Sequence, residues 1–290
     1  MVLKKLKGKG DNMISSIKDR VTLNNGVKMP WLGLGVWKVT EPAELDFAVK
    51  TALKVGYRAI DTADAYGNEE GVGKAIRESG IPREELFITT KLWNRNQRKG
   101  YDATLKAIEN SRKRLGLEYI DLFLIHWPVK GKYIDSYKAM IKLYNEGLIR
   151  AIGVSNFHIH HLEHLMRETD VVPVVNQIEL HPWLNQGPVI EFCKKHNIQV
   201  EAYSPLMGGR LSEIPEIENI AKKYQKTPAQ IVLRWDLQRE IVIIPKSVRE
   251  NRIIENSQIF DFTLSDEDME AINALNKDRR FLPDPDNVTF

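Results

Sequence analysis

The sequence predicts an α/β fold: a (β/α)8 TIM barrel with an N-terminal β-hairpin plug and an extra C-terminal helix. Three observations predict it. Short apolar runs alternate with helical patterns along 290 residues, and a strand–helix unit repeated eight times closes into a barrel. The C-terminal ends of those runs carry polar or aromatic residues in procession: Trp37, Asp61, Lys91, His126, Ser155 with Asn156, Gln177, Tyr203 with Ser204, and Lys246 with Ser247. Barrels of this kind keep their chemistry at that end. The length suits one barrel of about 250 residues plus short additions.

The elements follow in order. Val21-Thr22-Leu23 and Val27-Lys28-Met29 flank Asn24-Asn25-Gly26, turn residues that tolerate positive φ, so this stretch reads as a hairpin able to plug the N-terminal mouth. The first barrel strand is expected over Leu32 to Val36. Pro42 opens a helix whose apolar positions Leu45, Ala48, Val49, Ala52 and Leu53 share one face. Further strands are read at 58–60, 86–90, 120–125, 151–154, 172–175 and 241–244, and helices at Tyr101 to Leu115 and Pro188 to His196. Met207 to Pro215, with Gly208-Gly209-Arg210, interrupts the rhythm and is expected to be a cofactor-covering loop. Thr227-Pro228 starts a helix with Ile231, Val232 and Trp235 inward. Ser265-Asp266-Glu267-Asp268 is read as a capping box on a last helix running to about Leu275. The stretch from Arg279 to Phe290 is loop-like and is expected to border the substrate mouth.

Composition excludes several classes. Hydrophobic residues are 42% and charged residues 28% of the chain, ordinary for a globular protein. Cys193 stands alone, which removes disulfide frameworks and cysteine metal clusters and suggests a reducing cytoplasm; no metal site is expected. The net charge of +3 comes from the first twenty residues, with six Lys or Arg against two Asp. It is therefore not a nucleic-acid footprint across the fold. Residues 1–16 are expected to be a poorly ordered basic extension, and 17–290 one barrel domain. No apolar stretch approaches the roughly 18 residues of a membrane span, and the first ten lack a signal-peptide core. A monomer acting on a small molecule is expected.

Asp61, Tyr66, Lys91 and His126 together suggest proton chemistry. A phenol titrates near pH 10. A nearby ammonium, here Lys91, lowers that value by stabilising phenolate, and Asp61 would keep Lys91 charged. His126 would orient a substrate carbonyl while Tyr66 protonates its oxygen and a hydride reaches its carbon. Taken singly, each has an ordinary explanation as a helix cap, a solvated lysine or a packed histidine. Lys246 and Arg252 bracket a helix start, where backbone N–H groups favour an anion and arginine suits bidentate phosphate contact. Gly33-Leu34-Gly35 lacks the third glycine of a dinucleotide-binding turn, so a Rossmann domain is not supported.

These residues lie in recognisable blocks. Asp61-Thr62-Ala63-Asp64-Ala65-Tyr66-Gly67-Asn68-Glu69 resembles the first signature of the aldo-keto reductase superfamily. Ile88 to Trp93, Leu124 to Pro128, Ile152 to Phe157, Asn176 to Glu179, Tyr203 to Leu206 and Ile244 to Ser247 are similar to its later blocks, over about Val21 to Phe290. Within it the pattern is most similar to the bacterial glyoxal, methylglyoxal and 2,5-diketo-gluconate reductases. The resemblance implies an NADP-dependent oxidoreductase that reduces small aldehydes, dicarbonyls or keto-sugars, with Asp61, Tyr66, Lys91 and His126 as tetrad. It implies that Ser155, Asn156 and Gln177 hold the nicotinamide carboxamide of NADPH and that Tyr203 stacks on its ring. It assigns Lys246, Ser247 and Arg252 to the 2′-phosphate and Glu255 and Asn256 to the adenine, with Trp37, Ser204, Pro205, Leu206 and Val248 completing the cofactor contacts. Trp37, Tyr66, Trp93, His126 and Trp127 fall at its substrate positions. The tail after Arg279 is short for a member that grips a large substrate.

Two other readings compete. A Schiff-base aldolase would use Lys91 as nucleophile; a carboxylate at Asp61 opposes it, and borohydride trapping would separate the two. A non-catalytic NADP-bound sensor or interaction protein is compatible with the same tetrad, although the chain carries no extra interaction domain.

Overall fold

The computed structural model describes residues 14–290; the expected basic extension, residues 1–16, lies almost wholly outside them. Two short strands, β1 (Arg20–Thr22) and β2 (Lys28–Pro30), pair antiparallel. Eight parallel strands follow: β3 (Gly33–Gly35), β4 (Ala59–Asp61), β5 (Phe87–Leu92), β6 (Ile120–Ile125), β7 (Ile149–Ser155), β8 (Val175–Glu179), β9 (Gln199–Tyr203) and β10 (Val242–Ile243). They are hydrogen-bonded in chain order from β3 to β10. The ring closes through parallel bridges of Leu32 with Ile243 and Gly35 with Lys246. Closure needs a glycine there, because a Cβ on Gly35 would lie 2.9 Å from the Ile244 carbonyl oxygen, closer than real contacts allow.

Helices α1 (Pro42–Val55), α2 (Glu69–Glu78), α3 (Asn94–Gln97), α4 (Tyr101–Leu115), α5 (Tyr133–Asn145), α6 (Ile159–Glu168), α7 (Gly187–Lys195), α8 (Pro215–Tyr224), α9 (Pro228–Gln238), α10 (Glu250–Ser257) and α11 (Asp266–Asn273) make up the outer layer. On α1 the five residues read from spacing are all buried. On α9 the Thr227 hydroxyl accepts the Gln230 N–H, and the Gln230 side chain accepts the Thr227 N–H in return, a reciprocal cap. No described helix is long and apolar enough to cross a membrane.

The hairpin sits over the N-terminal ends of the strands. Asn24 donates to the Pro173 carbonyl before β8, Asn25 to the Arg150 carbonyl early in β7, and Arg20 to the Glu85 carbonyl before β5. Leu23 and Met29 point into the core.

Two elements differ from the sequence reading. The strand expected at 172–175 runs instead over Val175–Glu179; Val172 is exposed, and Pro173 has no N–H to give a ladder. The apolar run ends where the strand begins, because β8 turns Asn176, Gln177 and Glu179 into buried polar positions. The last helix has only half of the expected capping box. Ser265 Oγ accepts the Asp268 N–H, but the Ser265 N–H goes to the Tyr224 hydroxyl. The Asp268 carboxylate, which would have returned the bond, takes Lys223, Tyr224 and the Ser265 hydroxyl.

Candidate active site

The C-terminal strand ends surround one cavity of about 1060 Å³. Every site residue read from the sequence lines it except Lys91, which is fully buried. The cavity has an aromatic end (Trp37, Trp93, Trp127, Phe290), a polar centre beside Tyr66 and His126, and a basic end at Lys246, Arg249 and Arg252.

Parallel strands bring the centre together, because neighbouring strands end at the same level. Asp61 closes β4 and Lys91 lies in β5. Lys91 Nζ donates to Asp61 Oδ1 at 2.6 Å and to the Thr62 carbonyl at 2.9 Å. Burial is the largest influence on Lys91 and works against its charge. Asp61, Tyr66 and Glu201 together outweigh it, so its pKa is raised and the ammonium persists at neutral pH. A charge so deep survives only because a carboxylate and a carbonyl replace its water.

Tyr66 lies on the turn after β4, in a short 3-10 segment, Asp64–Tyr66. Its ring is 5.1 Å from Lys91 Nζ and 5.7 Å from the His126 ring, edge-on. The lowered phenol pKa expected from Lys91 is not the net outcome. Burial pushes the hydroxyl up by more than Lys91 pulls it down, and Asp61 adds to the rise. Lys91 acts as expected, but in a desolvated site phenolate is costly enough that the hydroxyl keeps its proton at neutral pH.

His126 follows β6. Burial first, and Lys91 second, hold its pKa well below the usual imidazole range, so it is neutral and carries one N–H. Its Nδ1 is sealed inside the protein without a hydrogen-bond partner, which leaves Nε2 as the nitrogen able to reach the cavity. Trp93 packs edge-on against the ring at 5.2 Å.

The next three strand ends form a connected polar wall. Ser155 Oγ donates to the Gln177 backbone carbonyl, and Asn156 Nδ2 donates to the His126 carbonyl and to Ser155 Oγ. The Tyr203 hydroxyl donates to Asn156 Oδ1 at 2.6 Å. Asn156 and Ser204 have positive φ, 65° and 53°, which turns the chain at the cavity edge. Gln177 Nε2 donates to Asp61 Oδ2 and to Glu201 Oε2, both at 2.8 Å. Its amide hydrogens are thus committed to two carboxylates, and its side-chain oxygen remains to accept a donor.

Glu201 is the functional-looking residue that sequence reasoning passed over. It lies in β9 and is 1% exposed. Burial, with Asp61 adding to it, pushes its carboxyl up to about 8. The available signal was its place two residues before Tyr203, on the same face of the strand. Arg249, Gly208, Gly209 and Leu211 also line the cavity; the glycines have left-handed φ of 62° and 94° and belong to the segment after β9 read as a covering loop.

At the basic end, Arg249 caps α10. Lys246, Arg249 and Arg252 are exposed and have no ion-pair partner among the described residues. Three free cations at a helix start suit an anionic group. Glu255 instead accepts the Thr227 hydroxyl at 2.8 Å. At the other end Phe290 stacks on Trp93 and meets Trp127 edge-on, both at 5.6 Å. The tail therefore borders the aromatic mouth. Cys193 is buried, with its thiol pushed up to about 11 by burial, and takes no part in the cavity.

A (β/α)8 barrel with a buried Lys–Asp pair beneath a tyrosine, and a long cavity between aromatic and basic ends, defines a class of barrel oxidoreductases. The chain belongs to the Aldo/keto reductase family, whose profile matches residues 31–277. It is 56% identical to the glyoxal reductase of Bacillus subtilis (strain 168) over 278 residues, covering 96% of this chain and 100% of the relative. It is 49% identical to the methylglyoxal reductase DkgA of Escherichia coli (strain K12), covering 92% and 96%. Among solved structures it is similar to a mutant of Gox0644 in complex with NADPH, with a TM-score of 0.89 and 46% identity over 94% of this chain and 99% of that one.

Proposed function

We propose that this chain is an NADPH-dependent reductase of small aldehydes, dicarbonyls or keto-sugars, with Tyr66 as proton donor. The observation that carries the reading is the Lys91–Asp61 pair, 2.6 Å apart, buried directly under a tyrosine that opens into the cavity. The cofactor supplies a hydride to the carbonyl carbon. Lys246, Ser247, Arg249 and Arg252 would hold its 2′-phosphate end. The Gln177 side-chain oxygen and the Ser155–Asn156 wall would orient its carboxamide, with the Tyr203 ring against the nicotinamide.

The other groups move and place a proton. Burial keeps Tyr66 protonated until a carbonyl oxygen begins to gain charge. The proton then passes to that oxygen, and the Lys91 ammonium stabilises the phenolate left behind. Neutral His126 donates to the same oxygen through Nε2 and fixes its position without competing as an acid. Trp37, Trp93, Trp127 and Phe290 give an apolar wall that limits water around the carbonyl. The relatives named glyoxal and methylglyoxal reductase support small dicarbonyls as the substrate class. Lys91, held protonated by Asp61, is a poor Schiff-base nucleophile, which disfavours the aldolase reading.

The test is steady-state reduction of a panel of aldehydes, dicarbonyls and keto-sugars with NADPH, for the wild type and Tyr66→Phe. The variant should lose about 10²–10⁴-fold in turnover while NADPH binding by fluorescence titration stays nearly unchanged. If Tyr66→Phe retains more than about a tenth of wild-type turnover where chemistry limits, Tyr66 is not the donor.

A further inference from the structure

Four of the chain's seven histidines fall within seven residues, His158, His160, His161 and His164, at the start of α6. The fold brings two aspartates of the C-terminal tail, Asp284 and Asp286, against three of them. His160 Nε2 lies 3.0 Å and His161 Nε2 3.4 Å from the same oxygen, Asp286 Oδ1. His158 Nε2 lies 3.3 Å from Asp284 Oδ1. The donor atoms of His160, His161 and Asp286 all fall within 4.8 Å of one another, and so do those of His158, Asp284 and Asp286. None of these residues lines the catalytic cavity.

We propose that His160, His161 and Asp286 form a binding site for a divalent transition-metal ion, with His158 and Asp284 beside it, that fastens the C-terminal tail to α6. The spacing is the first support. Bonds of about 2.0–2.1 Å at a tetrahedral angle place neighbouring ligand atoms about 3.3 Å apart. The two imidazole–carboxylate separations, 3.0 and 3.4 Å, straddle that length. Ligand type is the second. Imidazole with carboxylate suits zinc, nickel or copper and not calcium or magnesium, which prefer all-oxygen shells.

Convergence is the third support. The His160 and His161 ring centroids lie 4.0 Å apart, and both Nε2 atoms face the same oxygen, Asp286 Oδ1, so one ion can take a ligand atom from each of the three.

The site exacts one local rearrangement. His161 Nδ1 accepts the His158 backbone N–H at 3.2 Å, so a neutral ring carries its proton on Nε2, facing Asp286. Ligation at Nε2 shifts that proton to Nδ1 and releases the His158 amide. His160 has no such bond to the backbone and is the first ligand engaged. Binding therefore leaves a signature: faster exchange of the His158 amide as the ion fills the site. Asp286 stands four residues before Phe290, whose ring lies on Trp93 and Trp127, so the ion pins the segment that closes the aromatic mouth.

Zinc titrated into the tag-free protein with NADPH present, in competition with a chromogenic chelator, tests the site. Wild type should bind one ion with a dissociation constant of about 10 µM or tighter. His160→Ala and Asp286→Asn should each weaken binding at least about tenfold, while His196→Ala, just after α7 and outside the cluster, should match wild type. Circular dichroism and basal reductase activity should be unchanged in all three, since none touches the catalytic cavity. In the wild type, zinc should also speed exchange of the His158 amide by NMR. Binding weaker than about 100 µM, or equal affinity in wild type, His160→Ala and Asp286→Asn, would overturn the site.

Discussion

The two mouths of the barrel handle buried charge in opposite ways. At the N-terminal mouth, Asp121 is fully buried in β6. It accepts the Ile88 N–H, Arg83 and Arg150, and both guanidinium groups lie over the Tyr119 ring. Its arginines are partly solvated, with side chains 22% and 41% exposed. At the C-terminal mouth, Asp61 and Glu201 share one amide from Gln177, His126 Nδ1 has no partner, and the pair Asp61–Lys91 lies beneath an open cavity. Both aspartates have partners on both oxygens, and burial still holds the Asp121 carboxyl above its usual range in spite of its arginines. The difference is that the first cluster commits its partners to the fold, whereas the second leaves Tyr66, His126 Nε2 and the Gln177 side-chain oxygen facing the cavity for a ligand.

Exchanging the carboxylates breaks that contrast most sharply. Asp121→Asn should lower unfolding stability by about 3 kcal/mol, the low end for losing one partner of a buried ionic cluster, because its arginines are partly hydrated. Turnover per folded molecule should stay near wild type. Asp61→Asn should do the reverse, cutting turnover severely at a small loss of stability. Urea denaturation beside steady-state rates separates the two, and an equal stability loss in both variants would abolish the division of labour.

The next effect concerns the basic end of the cavity. Arg252→Ala should weaken NADPH by about tenfold to a hundredfold, the 1.5–3 kcal/mol of a charge-assisted bond. NADH should be nearly unaffected and kcat should fall little. Fluorescence titration of both cofactors measures it; equal losses would mean that Arg252 supports the fold and does not read a phosphate.

The smallest effect sharpens the comparison through pH. Glu201 holds its proton up to about 8 when folded, against 4.5 for the unfolded group. Between those values the folded state binds the extra proton, so stability falls as pH rises. Glu201→Gln keeps an acceptor for Gln177 and removes that dependence. Its melting temperature relative to wild type should therefore be more favourable at pH 8 than at pH 5. A difference that is flat or reversed across that range would show that Glu201 is not held protonated.

Much of the molecule was legible in the residues themselves. Alternating periodicities gave the barrel, its hairpin and the buried face of α1, because those patterns repeat what each backbone needs to bury. Residue chemistry at the strand ends gave Asp61, Tyr66, Lys91 and His126, since parallel strands in one barrel deliver their C-terminal residues to one rim. Tertiary structure decided what depends on environment and on distant partners. Burial, which no spacing reveals, turned the Tyr66 pKa upward and made Glu201 a carboxyl that keeps its proton. Polar residues facing the barrel interior hid the true extent of β8 from a search for apolar runs. The tail's Asp284 and Asp286 reach His158, His160 and His161 only because the chain returns across more than a hundred residues, and no local pattern records where a loop comes back.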